Sequence, residues 1–209
     1  MLKLIMKFSV ENLINYLTER YSRDDDTDTD EEVMWNHLEY ERIEGYHNLK
    51  FIINGENILC KEDEACMLCI YLRSINNIFF ALLKTYCNEP IPIPINIYFE
   101  DIRIPTPFIL ASKNNDKIVF LPTKDFPDVD KTPIDITQAY EEVIRVVNEY
   151  KDIFWQAAKI LMPNNLIGFM GTVFLKEERY LKNTNLNEYQ YAEEWLPLET
   201  FWNEYKKRL

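Results

Sequence analysis

Apolar residues recur at helical spacing between Asp135 and Met162. Successive spacings of 4, 3, 4, 3, 4, 3 and 4 residues place them in one stripe on a long helix. Asp135 is a suitable N-cap, Gln138 stands at the capping-box position, and Pro163 ends the helix. The stripe comprises Ile136, Tyr140, Val143, Val147, Tyr150, Phe154, Ala157 and Leu161. The outer face is expected to carry Glu141, Glu142, Arg145, Glu149, Lys151 and Asp152.

A second helix is predicted from about Glu62 to Cys87. Its acidic start favours a helix N-terminus. Its apolar positions again alternate between spacings of 4 and 3, and its other faces are also apolar, which predicts deeper burial than for the first helix. A hairpin that turns at Asn76-Asn77 is the alternative. The stripe comprises Leu68, Leu72, Ile75, Phe79, Leu82 and Tyr86.

Shorter segments alternate as strands do. The run 49–53 and the run 58–60 flank Asn54-Gly55, which predicts a hairpin, and 108–111 and 118–121 flank a second turn at 113–116. Eight of the ten prolines lie between Pro90 and Pro133, so the strand predicted at 95–99 belongs at a sheet edge. Residues 166–175 are apolar on both faces, as in a central strand.

The chain ends complete the pattern. A short strand is predicted at 2–8, a helix from Ser9 to about Tyr21, and a last helix that has Pro197 in its first turn and reaches Leu209. Together these elements predict an α+β fold, in which a mainly antiparallel sheet packs against two long amphipathic helices (62–87 and 135–162), with a short C-terminal helix. We expect residues 1–209 to form a single globular domain.

Composition narrows the classes of function. The chain is 47% hydrophobic, which predicts a sizeable core. Its net charge of −12 argues against partners that are nucleic acids or anionic membranes.

No stretch reaches the roughly 18 apolar residues of a membrane span. The run 1–8 is too short for a secretory signal, and four cysteines in 209 residues do not suggest a disulfide scaffold. A cytoplasmic location is therefore expected.

Motifs for catalysis and cofactor binding are scarce. Four glycines leave no phosphate-binding loop, and two histidines leave little material for a Ser-His-Asp triad. Cys66 and Cys69 have C-x-x-C spacing, but neighbouring acids oppose a reactive thiolate, and the four cysteines do not match paired zinc knuckles. We expect buried thiols, no metal and no cofactor, with a redox or metal role left open.

Seven of the nine residues from Asp24 to Glu32 are acidic. Like charges at this density repel one another, which predicts an exposed loop. An EF-hand fails in every register because position six is never glycine. The acidic segment is a candidate surface for a basic partner; the alternative is that its acids serve only solubility. The candidate partner-binding residues are Asp24, Asp25, Asp26, Asp28, Asp30, Glu31, Glu32, Glu39, Glu41 and Glu44.

These observations favour a non-enzymatic acidic protein that neutralises a basic protein, such as a toxin or a nuclease, in the manner of immunity proteins or phage inhibitors. The alternative is an enzyme that depends on a metal or on carboxylates. It would use acids between Glu39 and His47, near His37, or the loop acids Asp125, Asp128 and Asp130. The sequence does not name the partner, the source or the oligomeric state.

Overall fold

The computed structural model describes residues 1–6, 9–21, 49–58, 68–84, 89–95, 108–161 and 198–208. These residues form seven strands and four helices. In chain order they are β1 (Leu2–Met6), α1 (Val10–Tyr21), β2 (Leu49–Ile53), β3 (Glu56–Asn57), α2 (Leu68–Lys84), β4 (Ile91–Pro94), β5 (Phe108–Asn114), β6 (Lys117–Leu121), β7 (Ile134–Asp135), α3 (Ile136–Leu161) and α4 (Leu198–Lys206).

The strands form two antiparallel sheets. The first has the order β1-β2-β3, and the second has the order β4-β5-β6-β7. The prediction of an α+β fold with antiparallel pairing is confirmed, whereas the prediction of one sheet is wrong. The T-shaped contact of Phe51 in β2 with Phe120 in β6, at 6.2 Å between ring centroids, joins the two sheets through the core.

Turn chemistry explains both hairpins. Asn54 and Gly55 have positive φ values of 50° and 101°, and Asn115 has a φ of 51°, a conformation that asparagine and glycine tolerate best. The turns therefore lie where they were predicted. The bounds of the flanking strands differ from the prediction: the strand that pairs with β2 begins at Glu56, next to the turn, and β5 and β6 also extend to their turn. Of the predicted run 58–60, residues 59–60 lie outside the described part of the chain.

Strand β4 begins earlier than predicted. The prolines were expected to precede a strand at 95–99, but Pro92 and Pro94 lie within β4, which pairs with β5 at the edge of its sheet. A proline nitrogen cannot donate a hydrogen bond, so this edge offers fewer donors to another chain. Ile91 and Ile93 point into the core. Residues 96–99 lie outside the described part of the chain.

Helix α3 occupies the predicted stretch. Asp135 is its N-cap, since its Oδ1 accepts from the backbone N–H groups of Thr137 (2.9 Å) and Gln138 (3.2 Å). The predicted capping box is wrong in its second half, because the Gln138 side chain contacts β1 instead. Six stripe positions are buried: Ile136, Tyr140, Val143, Val147, Tyr150 and Ala157.

The other helices surround α3. Helix α1 begins where Ser9 Oγ accepts from the N–H of Asn12 (3.1 Å), and it packs on α3. Helix α2 is continuous through Asn76, which excludes the alternative hairpin there; its predicted ends at Glu62 and Cys87 lie outside the described residues. Helix α4 packs on α2 and α3.

One apolar cluster joins the two sheets with all four helices. Its largest fully buried side chains include Trp202, Tyr140, Phe79 and Phe80, so the junction of α2, α3 and α4 is aromatic. The predicted strand at 166–175 lies outside the described residues, and the prediction of a single domain over 1–209 stays a prediction.

Candidate functional site

The acidic segment that was predicted to bind a partner lies outside the described residues, and so do His37 and His47. Its position along the chain is nevertheless defined by the elements that flank it. Residues 22–48 connect the end of α1, at Tyr21, to the start of β2, at Leu49. Helix α1 packs on α3, and β2 pairs with β1. Both ends of the acidic connection therefore leave from elements that belong to the core.

The net charge of the protein is distributed unevenly along the sequence. The whole chain carries 35 acids and 23 Lys and Arg, a net charge of −12. Residues 22–48 contain 10 acids against 2 bases, a net of −8, so this one connection accounts for two thirds of the net charge of the chain. The other 182 residues contain 25 acids and 21 bases, a net of −4.

The loop between β6 and β7 contains the alternative acidic cluster. Asp125 and Asp128 are exposed, and Asp130 is half-buried. Asp130 Oδ1 accepts a hydrogen bond from the N–H of Thr132 at 2.7 Å. The side chain and backbone of Thr132 are the main causes that lower the pKa of Asp130. This carboxylate therefore stabilises its own loop.

The acidic side chains of this loop are not grouped closely enough to bind a metal ion. In the described ranges, no three His, Cys, Asp or Glu side chains lie close enough together to hold an ion, so the structure does not bring Asp125, Asp128 and Asp130 into one site. The other proposed cluster, between Glu39 and His47, lies outside those ranges. Of the four cysteines, Cys69 falls in α2, and Cys60, Cys66 and Cys87 are outside the described residues.

A row of polar side chains on α3 forms hydrogen bonds with the backbone of β1 along the edge that faces away from β2. Asn54 N donates to the Met1 carbonyl at 2.8 Å, so the carbonyl of Met1 faces β2. Because the backbone groups of successive residues in a strand point in opposite directions, those of Leu2 and Leu4 point away from β2. The Gln138 amide accepts from Leu2 N (2.8 Å) and donates to Leu2 O (2.5 Å). The side chains of α3 thus replace a neighbouring strand, which closes this edge.

The same row continues one turn later. Glu142 Oε1 accepts from Leu4 N, and Arg145 Nη2 donates to Leu4 O, each at 2.7 Å. Arg145 also pairs with Glu142 (2.9 Å) and Glu149 (2.7 Å). The hydrogen bond to Glu142 is the main cause that raises the pKa of Arg145. These groups are already paired with one another and with the backbone, so they are structural rather than available for catalysis.

Sequence reasoning missed this row because it assigned Glu142 and Arg145 to the outer face of the helix. The Glu142 side chain is only 14% exposed, against 44% for Glu149. The spacing of 138, 142 and 145 is itself helical, so these residues share a face. That signal was present in the sequence, but nothing in it showed that the face lies along β1.

The junction with α4 contains two buried hydrogen-bond donors. The Tyr140 hydroxyl and Trp202 Nε1 are enclosed, and neither has a partner in the described part of the chain. Their rings stack, with centroids 4.8 Å apart and planes at 13°. Burial raises the pKa of Tyr140 well above its ordinary value, and Tyr205 adds to this shift. The hydroxyl therefore stays protonated and remains a donor.

Lys113 lies at the border of this junction. Its Nζ donates to the carbonyl of Leu83 near the end of α2 at 3.3 Å and lies 5.5 Å from the ring centroid of Tyr205. Burial lowers the pKa of Lys113. A cation is favourable both at the carboxyl end of a helix and over the face of an aromatic ring. Lys113 therefore links β5 to α2 and α4.

Comparison of the chain with family models, curated proteins and solved structures finds no match. None of the helices in the described ranges combines the length and the apolar character that crossing a membrane requires.

Proposed function

We propose that this protein is a non-enzymatic binding protein whose acidic connection, residues 22–48, recognises and neutralises a basic protein partner. The observation that supports the proposal is the charge distribution, since this one connection, with 10 acids against 2 bases, carries −8 of the net charge of −12. A charge that served solubility alone has no need to be concentrated in one segment. We place the protein in the cytoplasm and expect the partner to be a toxin or a nuclease.

The chemistry of recognition is electrostatic. A dense negative field speeds the encounter with a basic surface and disfavours acidic competitors. The other 182 residues carry a net charge of only −4, so the negative charge is densest in the connection. The proposed contact residues are Asp24, Asp25, Asp26, Asp28, Asp30, Glu31, Glu32, Glu39, Glu41 and Glu44.

The fold offers a stable base for such a segment. We propose that α2 extends over the full predicted range, 62–87, so that it and α3 form the two long amphipathic helices of the fold. The connection leaves from α1 and returns to β2, two elements that contribute to the core. Loops held by a rigid scaffold are common binding elements.

The experiment is affinity capture of the partner from the source cell with the full chain, followed by purification of that partner and measurement of binding. The variant carries Asn or Gln at the seven acids between Asp24 and Glu32. Its matched control neutralises seven acids of the described surface: Glu11, Glu56, Asp116, Asp125, Asp128, Asp152 and Glu204. Loss of binding in the first variant alone supports the proposal, and equal loss in both contradicts it.

Calorimetric titration with Mg²⁺, Mn²⁺, Zn²⁺ and Ca²⁺ separates this function from the enzymatic alternative. Saturable binding of one ion that is lost when Glu39, Glu41 and Glu44 are neutralised would favour the metal-dependent enzyme. Absence of heat for all four ions leaves the binding protein as the better account.

A further inference from the structure

Helix α4 is attached to the core through one apolar side. Its nine residues bury Leu198 and Trp202, while Phe201 and Tyr205 are half-buried. Trp202 stacks on Tyr140 of α3, and Phe201 contacts Phe80 of α2 edge-to-face at 4.8 Å. An isolated helix of this length is marginal in water, so α4 depends on this packing.

Two hydrogen-bond donors are enclosed, without an acceptor in the described part of the chain, where α4 contacts α3. The Tyr140 hydroxyl and Trp202 Nε1 are both buried, and the described residues provide neither with a partner. A donor that loses water and gains no acceptor opposes burial, and each such loss changes an equilibrium by about tenfold. Separation of α4 from α3 hydrates both groups at once.

The polar contacts between α4 and α3 are weak. Lys206 Nζ lies 3.4 Å from Glu141 Oε1, with both side chains exposed, and Asn148 Nδ2 donates to Glu199 Oε2 at 3.2 Å. Exposed pairs of this kind contribute little to stability and are screened by salt. Lys206 also lies 5.5 Å from the ring centroid of Trp202, at the border of the stack.

We propose that α4 is a displaceable cap, which opens from α2 and α3 as a unit while the rest of the described core stays folded. Opening uncovers the aromatic side chains of Phe80 and Tyr140, which Phe201 and Trp202 of α4 contact in the closed state. The unfavourable burial of these two donors in the closed state, the Tyr140 hydroxyl and Trp202 Nε1, shifts the equilibrium toward the open state. The cap is thus a conformational device that is independent of the acidic connection and of the proposed function.

Native-state hydrogen exchange on the full chain tests the proposal. The reporters are the backbone amides of 202–206, which are hydrogen-bonded within α4, and those of 143–150 in α3. The α4 amides should exchange faster than the α3 amides, through an opening with a smaller denaturant dependence than the one that exposes the α3 amides. Exchange of both sets through one common, denaturant-sensitive opening would overturn the cap.

The substitution Tyr140→Phe tests whether the buried donors cause α4 to open. It keeps the stacked ring and removes one of the two buried donors, so exchange of the α4 amides should slow by about tenfold. Tyr150→Phe is the matched control: Tyr150 is also buried on α3, but its hydroxyl is not among the buried atoms that lack a partner. It should not slow α4 exchange. An unchanged or faster α4 exchange in Tyr140→Phe would show that the hydroxyl is satisfied and would refute the proposal.

Discussion

The side-chain amide of Gln138 pairs with both backbone groups of Leu2, as a neighbouring strand would. It accepts from Leu2 N at 2.8 Å and donates to Leu2 O at 2.5 Å. Glu142 and Arg145 repeat the arrangement at Leu4. An exposed edge strand is a template for pairing with another chain, and these contacts remove that hazard at β1. The polar side of α3 is therefore part of the fold.

Glu142→Ala should destabilise the protein by about 1–2 kcal/mol, because it leaves the Leu4 N–H without its acceptor and breaks the contact with Arg145. Glu149→Ala removes an exposed partner of the same arginine and should change the unfolding free energy by less than about 0.5 kcal/mol. Urea unfolding measures both values. Equal effects would show that the Leu4 contact contributes nothing.

Val147→Asp should destabilise the protein by about 3 kcal/mol or more, since it places an unpaired charge where the side chain is 3% exposed. Gln156→Asp introduces the same residue at an exposed position of the same helix and should alter stability by less than about 1 kcal/mol. Thermal unfolding at neutral pH compares the two. Similar melting temperatures would mean that the helix register is wrong.

Asp135→Ala should lower stability at neutral pH by about 1 kcal/mol, the usual contribution of an N-cap. Hydrogen bonding by the N–H of Gln138 is the main cause that lowers the pKa of Asp135. A carboxyl with a lowered pKa stabilises the folded state above its unfolded pKa and loses this effect as the pH falls through its folded pKa. The difference between wild type and variant should therefore shrink below about pH 4.

The control for the pH experiment is Asp128→Ala, which changes an exposed loop carboxylate. Its unfolding free energy should follow that of the wild type over pH 2–7. A constant difference between Asp135→Ala and wild type across this range would show that the charge of Asp135 has no part in capping.

Neutralising the seven acids from Asp24 to Glu32 should slow association with the basic partner several-fold at low salt and leave the melting temperature unchanged. Exposed like charges provide no attraction that folding would lose. Stopped-flow association rates between about 50 and 500 mM salt measure the effect, because salt screens a steering field. An association rate that is independent of salt would exclude steering and would direct attention to 90–133.

The sequence alone predicted the structure correctly where local interactions determine it. The spacing of Val143, Val147 and Tyr150 defines one buried side of α3 in any surroundings, because an isolated helix already separates its faces. Asn54-Gly55 defines a turn because few other residues tolerate its backbone angles. The concentration of acids in 22–48 is likewise a property of the chain itself, and it remains the basis of the proposed function.

Tertiary structure decided which elements meet. The division of the strands into two sheets depends on pairing between distant residues, such as Leu4 with Phe51, which no local pattern specifies. The role of Glu142 changed for the same reason: its place on the helix was predictable, but the strand edge beside it comes from residues 138 positions earlier. The stack of Tyr140 on Trp202 likewise required the folded chain, since the two residues are 62 positions apart and meet only when α4 packs on α3.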